Sequence, residues 1–250
     1  MNLENVIAER KNKTIYRDGN MSIKLFDESY SKAMILNEAL NTARVEETNL
    51  NIPKLLEVRK VENRWAIVSE FIEGESLAQL MQKNPDKMEE YLELFVNIQL
   101  EILNTPAPAM LNKIKEKMKN KIAFADLPES VKYDLSTRLA GMPTHTKLCH
   151  GDFNPGNVII KEDGSHYIID WAHVTQGNAG ADAARTYLIF SLHGKTKEAE
   201  RYLALFAEKS GIERKTIQKW IPIVAASQLS KGNEEERDFL YKWADVIEFQ

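Results

Sequence analysis

The sequence predicts an α+β chain of two lobes, a small one built on an antiparallel sheet and a larger, mainly helical one. Three observations predict it: paired alternating stretches near the N-terminus, helical spacing through most of residues 73–250, and a short second hairpin at 158–169. Residues 13–17 alternate polar and apolar, Asp18-Gly19-Asn20 marks a turn, and residues 21–26 alternate again, which is a hairpin pattern. From Ser29 to about Val45, Met34, Ile35, Ala39, Leu40 and Ala43 recur at helical spacing. Beyond Pro53, residues 54–60 and 64–72 read as strands, the second rich in β-branched and aromatic side chains. Glu73-Gly74-Glu75-Ser76 breaks that pattern and sets a boundary, giving an N-lobe of residues 1–72 and a C-lobe of 73–250. Helices follow to about Ala140, one marked by Leu92, Phe95, Val96, Gln99 and Leu103, with Pro106-Ala107-Pro108 as a loop. Val158-Ile159-Ile160 and Tyr167-Ile168-Ile169 flank Asp163-Gly164 as a second hairpin. Helices then run over about 182–192, 195–210, 214–229 and 234–248.

Composition narrows the function. The 250 residues suit one large domain or two small lobes. Lys and Arg total 33 against 37 Asp and Glu, a formal charge of −4, which argues against a dedicated nucleic-acid binder. A single cysteine, Cys149, excludes an internal disulfide framework and a multi-cysteine zinc site. No apolar run approaches the roughly 20 residues that span a bilayer, and the N-terminus lacks the charged and apolar regions of a signal peptide. The expectation is a reduced, cytoplasmic protein with no membrane and no nucleic-acid polymer among its partners, monomeric or homodimeric.

The stretch that carries chemistry is His150-Gly151-Asp152-Phe153-Asn154-Pro155-Gly156-Asn157, followed by Ile169-Asp170-Trp171. Asp170 lies 13 positions beyond Asn157, across the second hairpin, so folding back brings the two together with Asp152 on the loop just before. Hard oxygen ligands on loops beside a short sheet suit Mg²⁺, which takes one or two carboxylates plus substrate phosphates. An Asp as base, four residues, an Asn and then a metal-binding Asp is the order of phosphoryl-transfer loops.

These residues and their spacing resemble the aminoglycoside phosphotransferase and choline kinase family, small-molecule kinases with a protein-kinase-like fold. The likeness is strongest at 150–157 and 169–171 and extends more weakly over nearly the whole chain. It implies ATP and Mg²⁺, with Asn157 and Asp170 holding the metal and Asp152 accepting a hydrogen bond from the acceptor hydroxyl. It also implies that Lys24 holds the α- and β-phosphates, that Glu38 is its carboxylate partner, and that the segment containing Ser69 and Phe71 binds adenine. Asp182, in Gly180-Ala181-Asp182-Ala183-Ala184-Arg185, would brace the catalytic loop. The glycine-rich phosphate loop of protein kinases is absent; residues 8–14 stand in its place, with Lys11, Asn12, Lys13 and Thr14 as candidate phosphate contacts.

The activity implied is transfer of the γ-phosphoryl of Mg-ATP to a hydroxyl of a small molecule. An aminoglycoside is one candidate acceptor; choline, another amino alcohol or a sugar are alternatives, as is a nucleotide-binding module without turnover. Other features have plainer readings. His150 braces its loop, and Cys149 is a buried thiol. Lys113, Lys115, Lys117, Lys119 and Lys121 form the solvated face of a helix whose buried side is Ile114, Met118 and Ile122. Glu234-Glu235-Glu236 is either a wall for a cationic acceptor or the start of a helix. Trp220, Phe239, Tyr241 and Trp243 are core or a cation cage.

Overall fold

The computed structural model describes residues 2–10 and 12–244. They form strands β1 (Val6–Arg10), β2 (Lys13–Asp18) and β3 (Met21–Phe26), helix α1 (Lys32–Val45), strands β4 (Leu55–Val61), β5 (Arg64–Glu70) and β6 (Glu75–Ser76), then helices α2 (Leu77–Lys83), α3 (Met88–Asn104), α4 (Ile114–Phe124) and α5 (Glu129–Gly141). Strands β7 (Lys147–Cys149), β8 (Val158–Ile160), β9 (His166–Ile168) and β10 (Thr175–Gly177) precede helices α6 (Ala179–Leu192), α7 (Thr196–Ser210), α8 (Arg214–Gln218), α9 (Ile221–Leu229) and α10 (Glu234–Ala244). The chain divides into two compact units. One is the chain up to Lys83 with Pro155–His173; the other is Asn84–Asn154 with the chain from Val174 on. Residues 155–173, which the sequence reading assigns to the second lobe, pack with the first.

The first unit is an antiparallel five-stranded sheet in the order β1-β2-β3-β5-β4, with α1 on one face. Strand alternation decides which side chains meet the helix. Ile23 and Leu25 pack with Ala66 and Val68 on one face, while Phe26 and Ile67 pack with Ile35 and Ala39 of α1 on the other. Lys24, lying between Ile23 and Leu25, therefore stands on the α1 side. Ser31 caps α1 by accepting a hydrogen bond from the Met34 N–H at 3.3 Å.

A second small sheet, β6-β8-β9, completes this unit. Gly74, at φ 154°, leads into β6 so close to β8 that a Cβ there would lie 2.4 Å from the Ile160 carbonyl oxygen. Gly74→Ala is expected to cost about 2 kcal/mol of stability, read as a lower midpoint in denaturant unfolding; an unchanged midpoint would mean that the contact is soft.

The second unit is helical. Its core stacks Phe95 on Phe153 at 4.4 Å between ring centroids, with Phe190 and Tyr202 edge-on or tilted against Phe95. Strands β7 and β10 pair antiparallel beside it. Among the described residues no helix is long and apolar enough to cross a membrane.

Several expectations change. Residues 6–10, read in part as a phosphate-covering loop, form a strand paired with β2. The helix read over 214–229 is two helices, α8 and α9, with Pro222 in the first turn of the second. The last helix is described to Ala244, and residues 245–248 of the predicted span lie outside the described residues. The short strands β6, β7 and β10 have no counterpart in the sequence reading.

Candidate active site

In the first unit the sheet and α1 bring four charged side chains together. Lys24 Nζ donates to Glu38 Oε1 at 2.6 Å and to Asp170 Oδ1 at 3.1 Å, and Lys13 Nζ lies 3.6 Å from Asp170 Oδ2. Glu38 reaches Lys24 because it sits one turn from Ile35, on the helix face turned to the sheet. The Lys24 and Glu38 side chains are only 15% and 12% exposed, so the pair is shielded from water and salt. Burial alone would push the Lys24 ammonium down, but the Asp170 and Glu38 carboxylates outweigh it and hold it above the ordinary lysine range. The same balance runs the other way at Asp170. Burial would raise its carboxyl, yet Lys24 and then Lys13 hold it well below the usual carboxylate range.

The β8–β9 hairpin delivers Asp170. Val158 pairs with Ile168 and Ile160 with His166, and beyond the last pair the Ile169 N–H donates to the Asn157 carbonyl at 2.9 Å. Asn157 and Asp170 are thus on adjoining backbones, as the spacing predicts. Asp170 adopts φ 63°, a left-handed conformation that costs energy outside glycine and that clusters at functional sites. The segment after it is tied down: Trp171 Nε1 donates to Ile168 O at 3.0 Å, and Asn41 Nδ2 donates to Ala172 O at 3.2 Å. A carboxylate held anionic, with an asparagine on the adjoining backbone, is a donor set that fits a hard, partly hydrated divalent ion such as Mg²⁺.

Ser69 lies in β5 opposite Ser22 of β3 and Leu55 of β4. Phe71 follows the strand, and its N–H is spent on the Asn20 carbonyl at 2.8 Å. Arg17 braces this segment, its guanidinium 4.1 Å above the Phe71 ring and bonded to Glu73 at 2.7 Å. Of the other phosphate-loop candidates, Lys13 meets Asp170, Asn12 accepts from the Asp27 N–H at 3.0 Å, Thr14 lies in β2, and Lys11 is outside the described residues.

In the second unit, Asp152 stands on the loop after β7, and α6 holds that loop. Asp182, Arg185 and Thr186 sit at i, i+3 and i+4, so they share one face of the helix. Asp182 Oδ1 accepts from the Gly151 N–H at 2.7 Å, where Gly151 takes φ 79°. Arg185 Nη2 donates to Asp152 Oδ1 at 3.0 Å, and Thr186 Oγ1 donates to Phe153 O at 2.9 Å. Asp182 is buried, which raises its carboxyl, and it also accepts from Gln99 Nε2 at 3.0 Å. His150 is fully buried; its Nδ1 accepts from the Asp152 N–H at 3.3 Å. Cys149 is buried too, which pushes its thiol up. Sequence reasoning gave Arg185 no role, although its spacing from Asp182 is the signal that finds it.

The lysine run on α4 differs from the expected solvated face. Lys115 Nζ donates to the Ala140 and Met142 carbonyls at 3.0 and 2.7 Å, closing the end of α5, while Lys117 and Lys121 are half-buried. Glu234, Glu235 and Glu236 form the first turn of α10, where acidic side chains complement the helix dipole. Trp220 is fully buried, and Trp243 packs on Phe239 and Tyr187 at 5.7 Å each, as core side chains do.

Comparison with known proteins bears on the family and the fold. The model of the phosphotransferase enzyme family (APH) matches residues 7–216. No curated protein matches the sequence. Solved structures that align include a thermostable mutant of aminoglycoside phosphotransferase APH(4)-Ia in ternary complex with ADP and hygromycin B. It gives a TM-score of 0.69 at 14% identity and covers 97% of this chain and 92% of that one. A choline/ethanolamine kinase family protein from Mesorhizobium loti gives 0.63 at 16% identity, covering 100% and 90%. Choline kinase LicA from Streptococcus pneumoniae gives 0.64 at 16% identity, covering 96% and 87%. At these identities the structural likeness speaks for the kinase-like α+β fold, and the family match, over more than half of the sequence, for the chemistry: the chain belongs to the phosphotransferase enzyme family.

Proposed function

We propose that this phosphotransferase moves the γ-phosphoryl group of Mg-ATP to a hydroxyl of a small molecule. The observation that carries this reading is the shielded Lys24–Glu38–Asp170 cluster, with Lys24 kept cationic and Asp170 kept anionic. A cation fixed in position stabilises charge on phosphate oxygens without reorganising as the reaction proceeds. Lys24 then contacts the nucleotide phosphates, with Glu38 fixing its direction, and Lys13 adds a second positive charge. Asp170 and Asn157 are the residues that would hold Mg²⁺, which supplies neutralisation of phosphate charge when bound. The ADP bound in the aminoglycoside phosphotransferase structure supports an adenine nucleotide here. Residues 68–74 are the candidate adenine segment, and Ser69 and Phe71 line it through backbone groups. Because the Phe71 N–H is already donated to Asn20, base recognition draws on the other backbone groups of this segment unless that bond opens.

Asp152 receives the acceptor hydroxyl. Its carboxylate accepts a hydrogen bond from the alcohol and orients the oxygen for in-line attack at the γ-phosphorus. The P–O bond to the leaving diphosphate breaks as the new one forms, and the alcohol proton passes to Asp152 or to water. Arg185 positions Asp152 through Oδ1.

A coupled assay for ADP formation across aminoglycosides, amino alcohols, sugars and sugar acids tests the proposal. ADP should appear only with an acceptor. Release at the same rate with and without every acceptor would point to hydrolysis instead. Lys24→Met is expected to lower turnover at least about a hundredfold, with weaker nucleotide binding by calorimetric titration; an unaltered affinity would take Lys24 off the phosphates.

A further inference from the structure

The loop that carries Asp152 rests on a buried chain of hydrogen bonds that begins on α3 and α7. Of the described residues that α3 buries, Gln99 alone is polar, and it is fully buried. Its Nε2 donates to Asp182 Oδ2 at 3.0 Å and to Thr186 Oγ1 at 3.3 Å, and its Oε1 accepts from the Tyr202 hydroxyl of α7 at 2.5 Å. Asp182, Thr186 and Tyr202 are buried as well. A buried amide costs stability unless its polar atoms are bonded, and here both of them are. An apolar side chain of the same length would fill the space without that demand, so what the amide contributes is direction.

The chemistry of the partners fixes which way the chain runs. Burial, and then Asp182, push the Tyr202 hydroxyl well above its ordinary range, so it stays protonated and donates. Gln99 accepts that proton at Oε1, which turns both Nε2 hydrogens toward α6. Thr186 spends its own hydrogen on the Phe153 carbonyl at 2.9 Å and is left to accept. Asp182 presents one oxygen to Gln99 and the other to the Gly151 N–H at 2.7 Å. The chain therefore ends on backbone groups on either side of Asp152. Burial raises the Asp182 carboxyl, and the Gln99 amide is the first group that opposes it, ahead of the Gly151 N–H. Helix α3 also reaches the loop directly, because Phe95, one turn before Gln99, stacks on the Phe153 ring at 4.4 Å.

We infer that Gln99 is a positioning residue of the transfer reaction: it aims the Asp182 carboxylate and the Thr186 hydroxyl at residues 151 and 153, and so fixes how Asp152 meets the acceptor hydroxyl, while Tyr202 sets the orientation of the Gln99 amide. The inference rests on the phosphotransferase reading and extends the support of that loop from α6 to α3 and α7.

The test compares the full chain with Gln99→Met, Tyr202→Phe and the two together. Methionine keeps the length and unbranched shape of the side chain and phenylalanine keeps the ring, so packing is retained while hydrogen bonds are lost. ADP formation is followed on kanamycin, choline and D-glucose, binding of Mg²⁺ and AMP-PNP by calorimetric titration, and amide hydrogen exchange by NMR. Gln99→Met is expected to lower kcat about tenfold and Tyr202→Phe about fivefold, with AMP-PNP affinity within about twofold of wild type. The double variant should be no slower than Gln99→Met alone, because Tyr202 acts through Gln99. Exchange at the Gly151 amide should quicken in each variant and stay unchanged in β3. A side chain that only fills the core would leave kcat of the folded enzyme alone. Single variants that both keep kcat within about twofold of wild type, losses that multiply in the double variant, or an unmoved Gly151 amide overturns the inference. Should Gln99→Met fail to fold, Tyr202→Phe decides through its kcat and the Gly151 amide. Wild-type chain that binds AMP-PNP yet forms no ADP on any of the three acceptors removes the phosphotransferase reading, and the inference with it.

Discussion

Asp152→Asn will lower kcat about 10²–10⁴-fold, the usual worth of a positioned base, and leave the affinity for Mg-nucleotide close to that of the wild type. The substitution keeps the shape of the side chain. Its Oδ1 still accepts from Arg185 Nη2, and the backbone bonds of Asp152 to His150 and Asn154 do not involve the carboxyl. The loop is also held from α6 through Gly151 and Phe153, so it stays in place. What disappears is the negative charge that draws the hydroxyl proton. The loss therefore falls on turnover rather than on nucleotide binding, and a steady-state assay paired with nucleotide titration separates the two. Arg185→Gln acts through Asp152 and should cost less in kcat, with a larger share in KM for the acceptor. A near-normal rate in Asp152→Asn would remove Asp152 from the reaction.

The part of this site that the sequence makes legible is the part encoded by short-range periodicity. Asn157 and Asp170 can be paired because a hairpin with an Asp-Gly turn must return to its start, and the Ile169–Asn157 bond is that return. Lys24 can be placed because alternation in β3 puts it opposite Ile23 and Leu25, and Glu38 because it lies one helical turn from Ile35. What stays hidden depends on tertiary packing. In the lysine run on α4, alternate residues look equally solvated, and only the packing of α9 and α5 around that helix separates Lys117 and Lys121 from their exposed neighbours. Strand β1 is mostly exposed and so carries little alternation; it is recognised by its pairing with β2. Strands β7 and β10 are three residues each, too short for a period to register. The break between α8 and α9 falls at Lys219-Trp220, between a mostly polar helix and an apolar one, and Pro222 in the first turn of α9 is its local sign. The use of the Phe71 amide by Asn20 is a contact across the sheet that no local pattern announces.

Asp170→Asn will abolish most of the metal-dependent gain in nucleotide affinity and reduce turnover at least about a hundredfold. Asparagine is the right probe because it tolerates a positive φ, so the backbone at φ 63° is kept and charge alone is removed. Lys24 and Lys13 then lose a shared anion, and binding of nucleotide without metal should hold or tighten while binding with Mg²⁺ weakens. Titrations with and without Mg²⁺ read the difference directly. An unchanged metal-dependent gain would take the ion away from Asp170. Stability provides a second, independent readout. The Asp170 carboxyl is held below its ordinary range, because Lys24 and then Lys13 outweigh the opposing effect of burial. Its ion pairs therefore contribute stability above the unfolded-state carboxylate value and lose it only as pH falls through the lowered one. The stability gap between wild type and Asp170→Asn should be flat from about pH 8 to about pH 5 and narrow only below about pH 4. Urea unfolding across that range decides it: a gap that closes between pH 8 and pH 5 would mean that burial raises the Asp170 carboxyl instead, and one that never narrows below about pH 4 that the carboxyl is not lowered at all; either result would mean that Lys24 and Lys13 do not hold it charged.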